Sequence, residues 1–352
     1  MKLFTVGPVK MYPDTLKESA DQLPYFRTPE FSEIMLESER ILLELAFAPK
    51  GSRAVFLTAS GTGAMEAAIM NCLNPQDHVM VIDGGSFGHR FVQMCERHRI
   101  PGEKVAVPFG TVLTREMLDK SYQSGITALL VNIHETSTGQ LYDIKMISEF
   151  CKEHGLLLIV DAISSFIADD IRMDENGIDV LILSSQKAFA LAPGISNVVL
   201  SPRAVELVGS RGTDMVYFDF RDYLKNGERG QTPFTPAVGI LLTMNTRLRN
   251  ISQRGIENVR ADIASIAADF RNRVGQLPVS IPEYPHSNAL TPLYFPDKNA
   301  KKFYEILRSE YDITVTPNGG ELGETLLRVG HIGNLSIDDN IMLIEAMRKV
   351  KF

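Results

Sequence analysis

Seven short apolar runs, many of them β-branched, punctuate the first 200 positions of the chain: 54–58, 78–83, 105–107, 128–133, 156–161, 179–183 and 197–200. Amphipathic stretches such as 63–73, 91–98 and 145–154 lie between them, with apolar residues returning every three or four positions. Apolar runs alternating with helical segments predict a mostly parallel sheet covered by helices on both faces. The alternation stops near residue 201. A looser stretch containing Gly227, Gly230, Pro233 and Pro236 follows, then a helical region over 238–273. The tail mixes strands at 293–295, 313–316 and 326–329 with helices at 300–310 and 337–350. The expected fold class is therefore α/β. A large domain over 15–240 carries a mostly parallel seven-stranded sheet sandwiched by helices, and a smaller α+β domain covers 241–352 together with residues 1–14.

Composition changes this picture little. The 352 residues are 44% hydrophobic and 22% charged, as in an ordinary globular protein, with a net charge of −7. That charge argues against nucleic acid and anionic lipid as partners. The first residues lack the apolar core of a signal peptide and no run reaches membrane-spanning length, so a cytoplasmic protein is expected. Cys72, Cys95 and Cys151 are odd in number and lack metal-ligand spacing; small apolar packing is expected for all three, and no metal site.

In open α/β sheets, ligands bind beyond the carboxyl ends of the strands. The residues just after each run are therefore the candidates. The first run is followed by Ser60-Gly61-Thr62-Gly63, opening a helix whose free amides and dipole favour a phosphate. Ser60 acting only as an N-cap is the plainer reading of that turn. The later ends deliver Phe87, the hydroxyl-rich 134–139, Asp161, and Ser184, Ser185, Gln186 and Lys187. Lysine is seldom buried, and with an ordinary pKa of about 10.4 it is a poor nucleophile at neutral pH. Desolvation lowers that value, so a lysine held at a strand end among small and apolar residues is placed to form a Schiff base. The commoner fate is a surface lysine with its stem on apolar ground. Asp161 lies 26 residues earlier, one helix and one strand away, where it can reach the same crevice. A carboxylate opposite a ring nitrogen keeps that nitrogen protonated, and a Schiff-base lysine, such an Asp and a phosphate cup together are what pyridoxal phosphate requires. A dinucleotide fingerprint competes, through Gly61-x-Gly63 and Asp83, 22 residues beyond Gly61. Glu66 stands where its third glycine belongs, and that reading leaves Asp161 and Lys187 without a role.

Eight segments carry a closer likeness: 26–31 (FRTPEF), 60–67 (SGTGAMEA), 87–90 (FGHR), 134–139 (HETSTG), 160–166 (VDAISSF), 184–187 (SSQK), 230–236 (GQTPFTP) and 327–333 (LRVGHIG). In order and spacing they resemble the class V aminotransferases, pyridoxal-phosphate enzymes of fold type I, in the group of alanine–glyoxylate, serine–pyruvate and 2-aminoethylphosphonate–pyruvate transaminases. The resemblance runs over nearly the whole chain. It implies that Lys187 holds pyridoxal 5'-phosphate as a Schiff base, that Asp161 pairs with the pyridine nitrogen, and that Phe87 stacks on the ring where several relatives have Trp. It further implies that Thr136 bonds the ring hydroxyl. Ser60, Gly61, Thr62 and Gln186 would hold the phosphate, helped by Gln231 and Thr232 from a second subunit, which makes a homodimer with shared sites the expected assembly. Arg328 would bind the substrate carboxylate through its planar fork of donors, although an arginine in a surface ion pair is the more frequent case. His134 stands between a cofactor contact and a structural histidine, and Arg27 is given no chemistry.

The activity so implied is a ping-pong transfer of an amino group from alanine, serine or 2-aminoethylphosphonate to a small 2-oxo acid, pyruvate or glyoxylate. Three alternatives stand beside it. A lyase of the same fold such as a cysteine desulfurase needs a reactive Cys after the lysine, and no Cys follows Cys151. An NAD-dependent dehydrogenase rests on the half fingerprint alone. A protein that binds the cofactor without catalysis has no residue in its favour.

Overall fold

The seven apolar runs form one sheet in the computed structural model of the chain, which describes residues 2–275 and 277–351. Its strands are β1 (Arg53–Thr58), β2 (Val79–Asp83), β3 (Gly102–Ala106), β4 (Ala128–Asn132), β5 (Leu157–Asp161), β6 (Val180–Ser184) and β7 (Ile195–Leu200). Their order across the sheet is β1-β7-β6-β5-β4-β2-β3, with β7 antiparallel to both its neighbours and the other adjacent pairs parallel. The α/β class read from the sequence is the observed one.

Side-chain alternation sorts the sheet into two faces. Leu158 and Val160 of β5, with Leu181 and Leu183 of β6, join one apolar cluster. Leu157 and Ile159, with Val180 and Ile182, join another beneath the helix Gly61–Cys72. Strands buried on both faces must be apolar throughout, which is why they were legible. The edge strand β3 was not: Glu103 and Lys104 interrupt it, as charges commonly do on edges, and only its end carries the apolar run. The helical region over 238–273 proves to be two helices, Val238–Arg254 and Ile256–Val274, meeting at Gly255. The sequence reading also passed over Pro29–Leu45, a helix with Thr28 as its cap and Pro29 in its first turn. Among the described residues no helix is long and apolar enough to cross a membrane.

Three further strands, β8 (Leu290–Tyr294), β9 (Thr316–Pro317) and β10 (Leu326–Gly330), form an antiparallel sheet of order β8-β10-β9 over its own apolar cluster. The N-terminal residues dock here. Lys2–Leu3 pairs in parallel with Ile313–Thr314, Phe4 is wholly buried, and the Gly330 amide donates to the Phe4 carbonyl at 2.8 Å. A Cβ at position 330 would lie 2.3 Å from the Thr5 carbonyl oxygen, so only glycine lets the two backbones meet. Gly330→Ala should therefore cost about 1–3 kcal/mol by displacing the N-terminal segment. Urea unfolding should show a lower midpoint; an unchanged midpoint would mean that the segment gives way freely.

Candidate active site

Strands β4, β5 and β6 end side by side in Asn132, Asp161 and Ser184. Alternation puts all three on the face beneath the helix Gly61–Cys72, and Asn132 stands directly opposite Asp161 in the pairing of β4 with β5. Asn132 Nδ2 donates to Asp161 Oδ2 at 2.8 Å, and the Ile163 amide donates to Oδ1 at 2.9 Å. Asp161 is 1% exposed. Burial pushes its carboxyl up to about 6, against the pull of the Ile163 and Asn132 bonds and of the positive Lys187.

Lys187 follows β6 by three residues and reaches back across the same end of the sheet. It stays partly open to the cavity, yet lost solvation draws its ammonium down to about 8. Asp161 opposes that shift, while the positive Arg328 and Arg90 add to it. Nζ donates to the Val6 carbonyl at 2.8 Å. The N-terminal segment thus passes over the lysine, and Gly7 lies so close, at φ +140°, that a Cβ there would sit 2.7 Å from Nζ.

Ser60, Gly61, Thr62, Phe87, Thr136, Asp161, Gln186 and Lys187 all line one cavity of about 130 Å³. Eight residues expected from the sequence to touch the cofactor therefore meet in one place. Ser60 does cap its helix, its hydroxyl accepting from the Gly63 amide at 3.3 Å. Gln231 and Thr232 do not reach this cavity in their own chain. Gln231 Nε2 donates to the Phe26 carbonyl at 3.1 Å and to Ser32 Oγ at 2.6 Å, and Thr232 donates to the Phe234 carbonyl at 2.7 Å. Arg27 ties them down, donating to Gln231 Oε1 at 3.1 Å and to the Thr232 carbonyl at 2.7 Å. Wider recesses, of about 840 Å³ beside Asp83–His89 and about 330 Å³ around Arg203 and Arg211, contain no lysine.

Arg328, in β10, is 8% exposed and has no carboxylate partner among the described residues. Nη1 donates to the Thr136 carbonyl at 3.0 Å and Nη2 to the Pro317 carbonyl at 2.7 Å, while Nε is buried without a partner. Burial draws the guanidinium down to about 10, opposed by Glu135. The surface ion pair that was the plainer reading of Arg328 does not form. A buried, unpaired cation beside the cavity suits an anionic ligand.

Three residues escaped the sequence reading. Asn132 is hidden inside an apolar run that continues through Ile133. Arg90, inside FGHR, donates to Thr62 Oγ1 at 2.7 Å and lies 4.9 Å from the Phe87 ring centre, fixing both. Glu135, inside HETSTG, is fully buried and accepts from the Gly88 amide at 2.9 Å, the Phe87 amide at 3.3 Å and Ser137 Oγ at 2.5 Å. Its charge thus faces the start of the helix Ser86–Arg97 and sets Phe87 at the cavity wall.

These residues fit pyridoxal phosphate on their chemistry. A carboxyl raised by burial, with only neutral donors on its oxygens, answers a protonated ring nitrogen. A lysine losing its proton near pH 8 answers an aldehyde, and the start of a helix answers a phosphate. The three cysteines are buried free thiols pushed up to about 12 by burial, consistent with packing, and no group of three or more His, Cys, Asp or Glu that could hold a metal occurs among the described residues.

The Aminotransferase class-V family model matches residues 26–329. The chain is 31% identical to the L-aspartate–glyoxylate aminotransferase of Paracoccus denitrificans, over 95% of this chain and 87% of that one. It is 30% identical to the soluble hydrogenase 42 kDa subunit of Anabaena cylindrica, over 99% and 93%. Its fold matches the crystal structure of the alanine–glyoxylate aminotransferase of Nostoc sp. with a TM-score of 0.92, at 27% identity, covering 99% and 94% of the two chains.

Without cofactor, Lys187 should become reactive toward trinitrobenzenesulfonate as pH rises through about 8 rather than 10.5, because its amine is neutral above the lowered value. Asp161→Asn removes a negative charge that holds the proton on, so the midpoint should fall further. Peptide mapping of the labelled protein against pH checks both, and a midpoint near that of surface lysines would contradict the assigned environment.

Proposed function

The chain belongs to the class V aminotransferases, enzymes that work with pyridoxal phosphate on the type I fold, and from that premise we propose that it moves an amino group from a small donor, alanine, serine or 2-aminoethylphosphonate, to a small 2-oxo acid. The observation that carries this reading is that buried Asp161 and partly open Lys187, brought together by adjacent strands, line one cavity. Glyoxylate is the favoured acceptor, with pyruvate next, since two of the similar proteins are named for glyoxylate.

Bound in the cavity, the cofactor supplies an aldehyde that takes up the donor's nitrogen and a ring that accepts the electron pair left by the departing α-proton. Lys187 is the base of the set. Its Nζ, neutral above about pH 8, takes the donor's α-proton and later returns it, a role general acid–base catalysis supports by about 10²–10⁴-fold. The Val6 carbonyl holds that amine in place between uses. Asp161 keeps a proton on the ring nitrogen, with Asn132 fixing its carboxylate. Ser60, Gly61, Thr62 and Gln186 would hold the phosphate, and Phe87 would offer its face to the ring. Arg328 orients the carboxylate common to the acceptors. Gln231 and Thr232, clamped by Arg27 away from their own cavity, complete the phosphate cup of a second copy, so the working unit is a homodimer.

Two half-reactions sharing one site require ping-pong kinetics. Single-turnover mixing with alanine, serine or 2-aminoethylphosphonate should bleach the bound cofactor with at least one of the three, and glyoxylate should restore the colour. Release of ammonia without any acceptor would favour the lyase instead. Arg328→Ala should raise KM for the oxo acid by roughly 10²-fold or more, the loss expected when a buried charge partner is truncated; an unchanged KM would assign the carboxylate to another anchor.

A further inference from the structure

His134 is wholly buried and does not line the cavity, but two residues that do line it connect to it. Ser164 Oγ lies 2.9 Å from His134 Nδ1 and 2.8 Å from Thr136 Oγ1. The other ring nitrogen, Nε2, is buried with no partner. His134 is thus partnered through Nδ1 alone, and that side leads to the cavity wall.

The proton positions along this chain follow from what each atom can do. Burial draws the imidazole down to about 3, helped by the positive charges of Lys187, Arg328 and Arg271, so the ring is neutral and carries one N–H. With that proton on Nε2, a buried N–H would have no acceptor and would stand among cations. With it on Nδ1, the bare atom is an acceptor lone pair, which interiors tolerate better than an orphaned N–H. Nδ1–H then donates to Ser164 Oγ. The Ser164 proton has Thr136 Oγ1 at 2.8 Å, against the His134 carbonyl at 3.4 Å, so it goes to Thr136. Thr136 already receives a hydrogen bond there, and its own proton has only the His134 carbonyl at 3.3 Å or whatever lies in the cavity.

We propose that His134 is a positioning residue: as its Nδ1–H tautomer it directs the chain His134 to Ser164 to Thr136, and so makes Thr136 a donor toward an anionic oxygen in the cavity, the phenolate of the cofactor ring. This rests on the pyridoxal-phosphate reading of the cavity. The reverse order of donors would leave Thr136 offering only lone pairs, which an anion repels. A donor on the ring oxygen favours the state in which that oxygen bears most negative charge, reached when the neighbouring nitrogen loses its proton. The chain therefore lowers the pH at which the bound cofactor changes colour.

Two measurements test this. In cofactor-free protein labelled with ¹⁵N-histidine, the ring nitrogens of His134, assigned by comparison with His134→Gln, should show Nδ1 protonated at neutral pH; protonation of Nε2 overturns the proposal. In cofactor-loaded protein, Ser164→Ala should raise the pH midpoint of the visible absorbance by about one unit, a tenfold change, and Thr136→Val should raise it at least as far. A shift with Thr136→Val alone would show that the chain behind Thr136 is idle and overturn the proposal. No shift with either variant would remove Thr136 as a donor and overturn the proposal as well, while leaving the assignment of Lys187 untouched. A protein that takes up no cofactor colour would overturn the reading of the cavity, and the proposal with it.

Discussion

A buried aspartate and a lysine stripped of much of its water stand beyond the ends of adjacent strands without being each other's hydrogen-bond partner. Lys187 spends its hydrogen bond on the Val6 carbonyl, and Asp161 takes its two from Asn132 and the Ile163 amide. Each buried charge costs several kcal/mol in desolvation, and the two groups answer alike by moving toward their neutral forms. A third party that supplies both an electrophile for the amine and a cation for the carboxylate relieves both strains together.

The rest of the fold can be read as what holds this pair. Parallel pairing of β4, β5 and β6 brings their polar ends to one edge, and alternation puts those ends on one face. Glu135 fixes the start of the helix that presents Phe87, Arg90 ties that ring to Thr62, and Arg328 crosses from the second sheet to the Thr136 carbonyl. The N-terminal segment, anchored on β10 through Gly330, passes over the lysine at Gly7, whose φ of +140° favours glycine. The two sheets therefore meet beside the cavity, where Arg328 reaches the Thr136 carbonyl.

Much of this was legible in the sequence because burial on both faces leaves strands such as LLIVD no polar residue until the last. The strand end pointed to Asp161 and the residues just beyond β6 to Lys187, and both line the same cavity. What stayed hidden depends on long-range contact. The edge strand β3 carries charges, so its pattern shows only at its end. Asn132 lies inside an apparent apolar run, and its role exists only through pairing with β5. Arg90, Glu135 and Ser164 sit within recognisable motifs, yet act through partners about 30 to 50 positions away that no local periodicity reveals. The covering of Lys187 by Val6 and Gly7 joins residues 181 positions apart.

The most direct test of the account is covalent. The pure protein, loaded with pyridoxal phosphate, is reduced with borohydride, digested and mapped by mass spectrometry. One reduced pyridoxyl group per chain, on the peptide containing Lys187, is the predicted result. A reduced group on any other lysine, or on none, would contradict it.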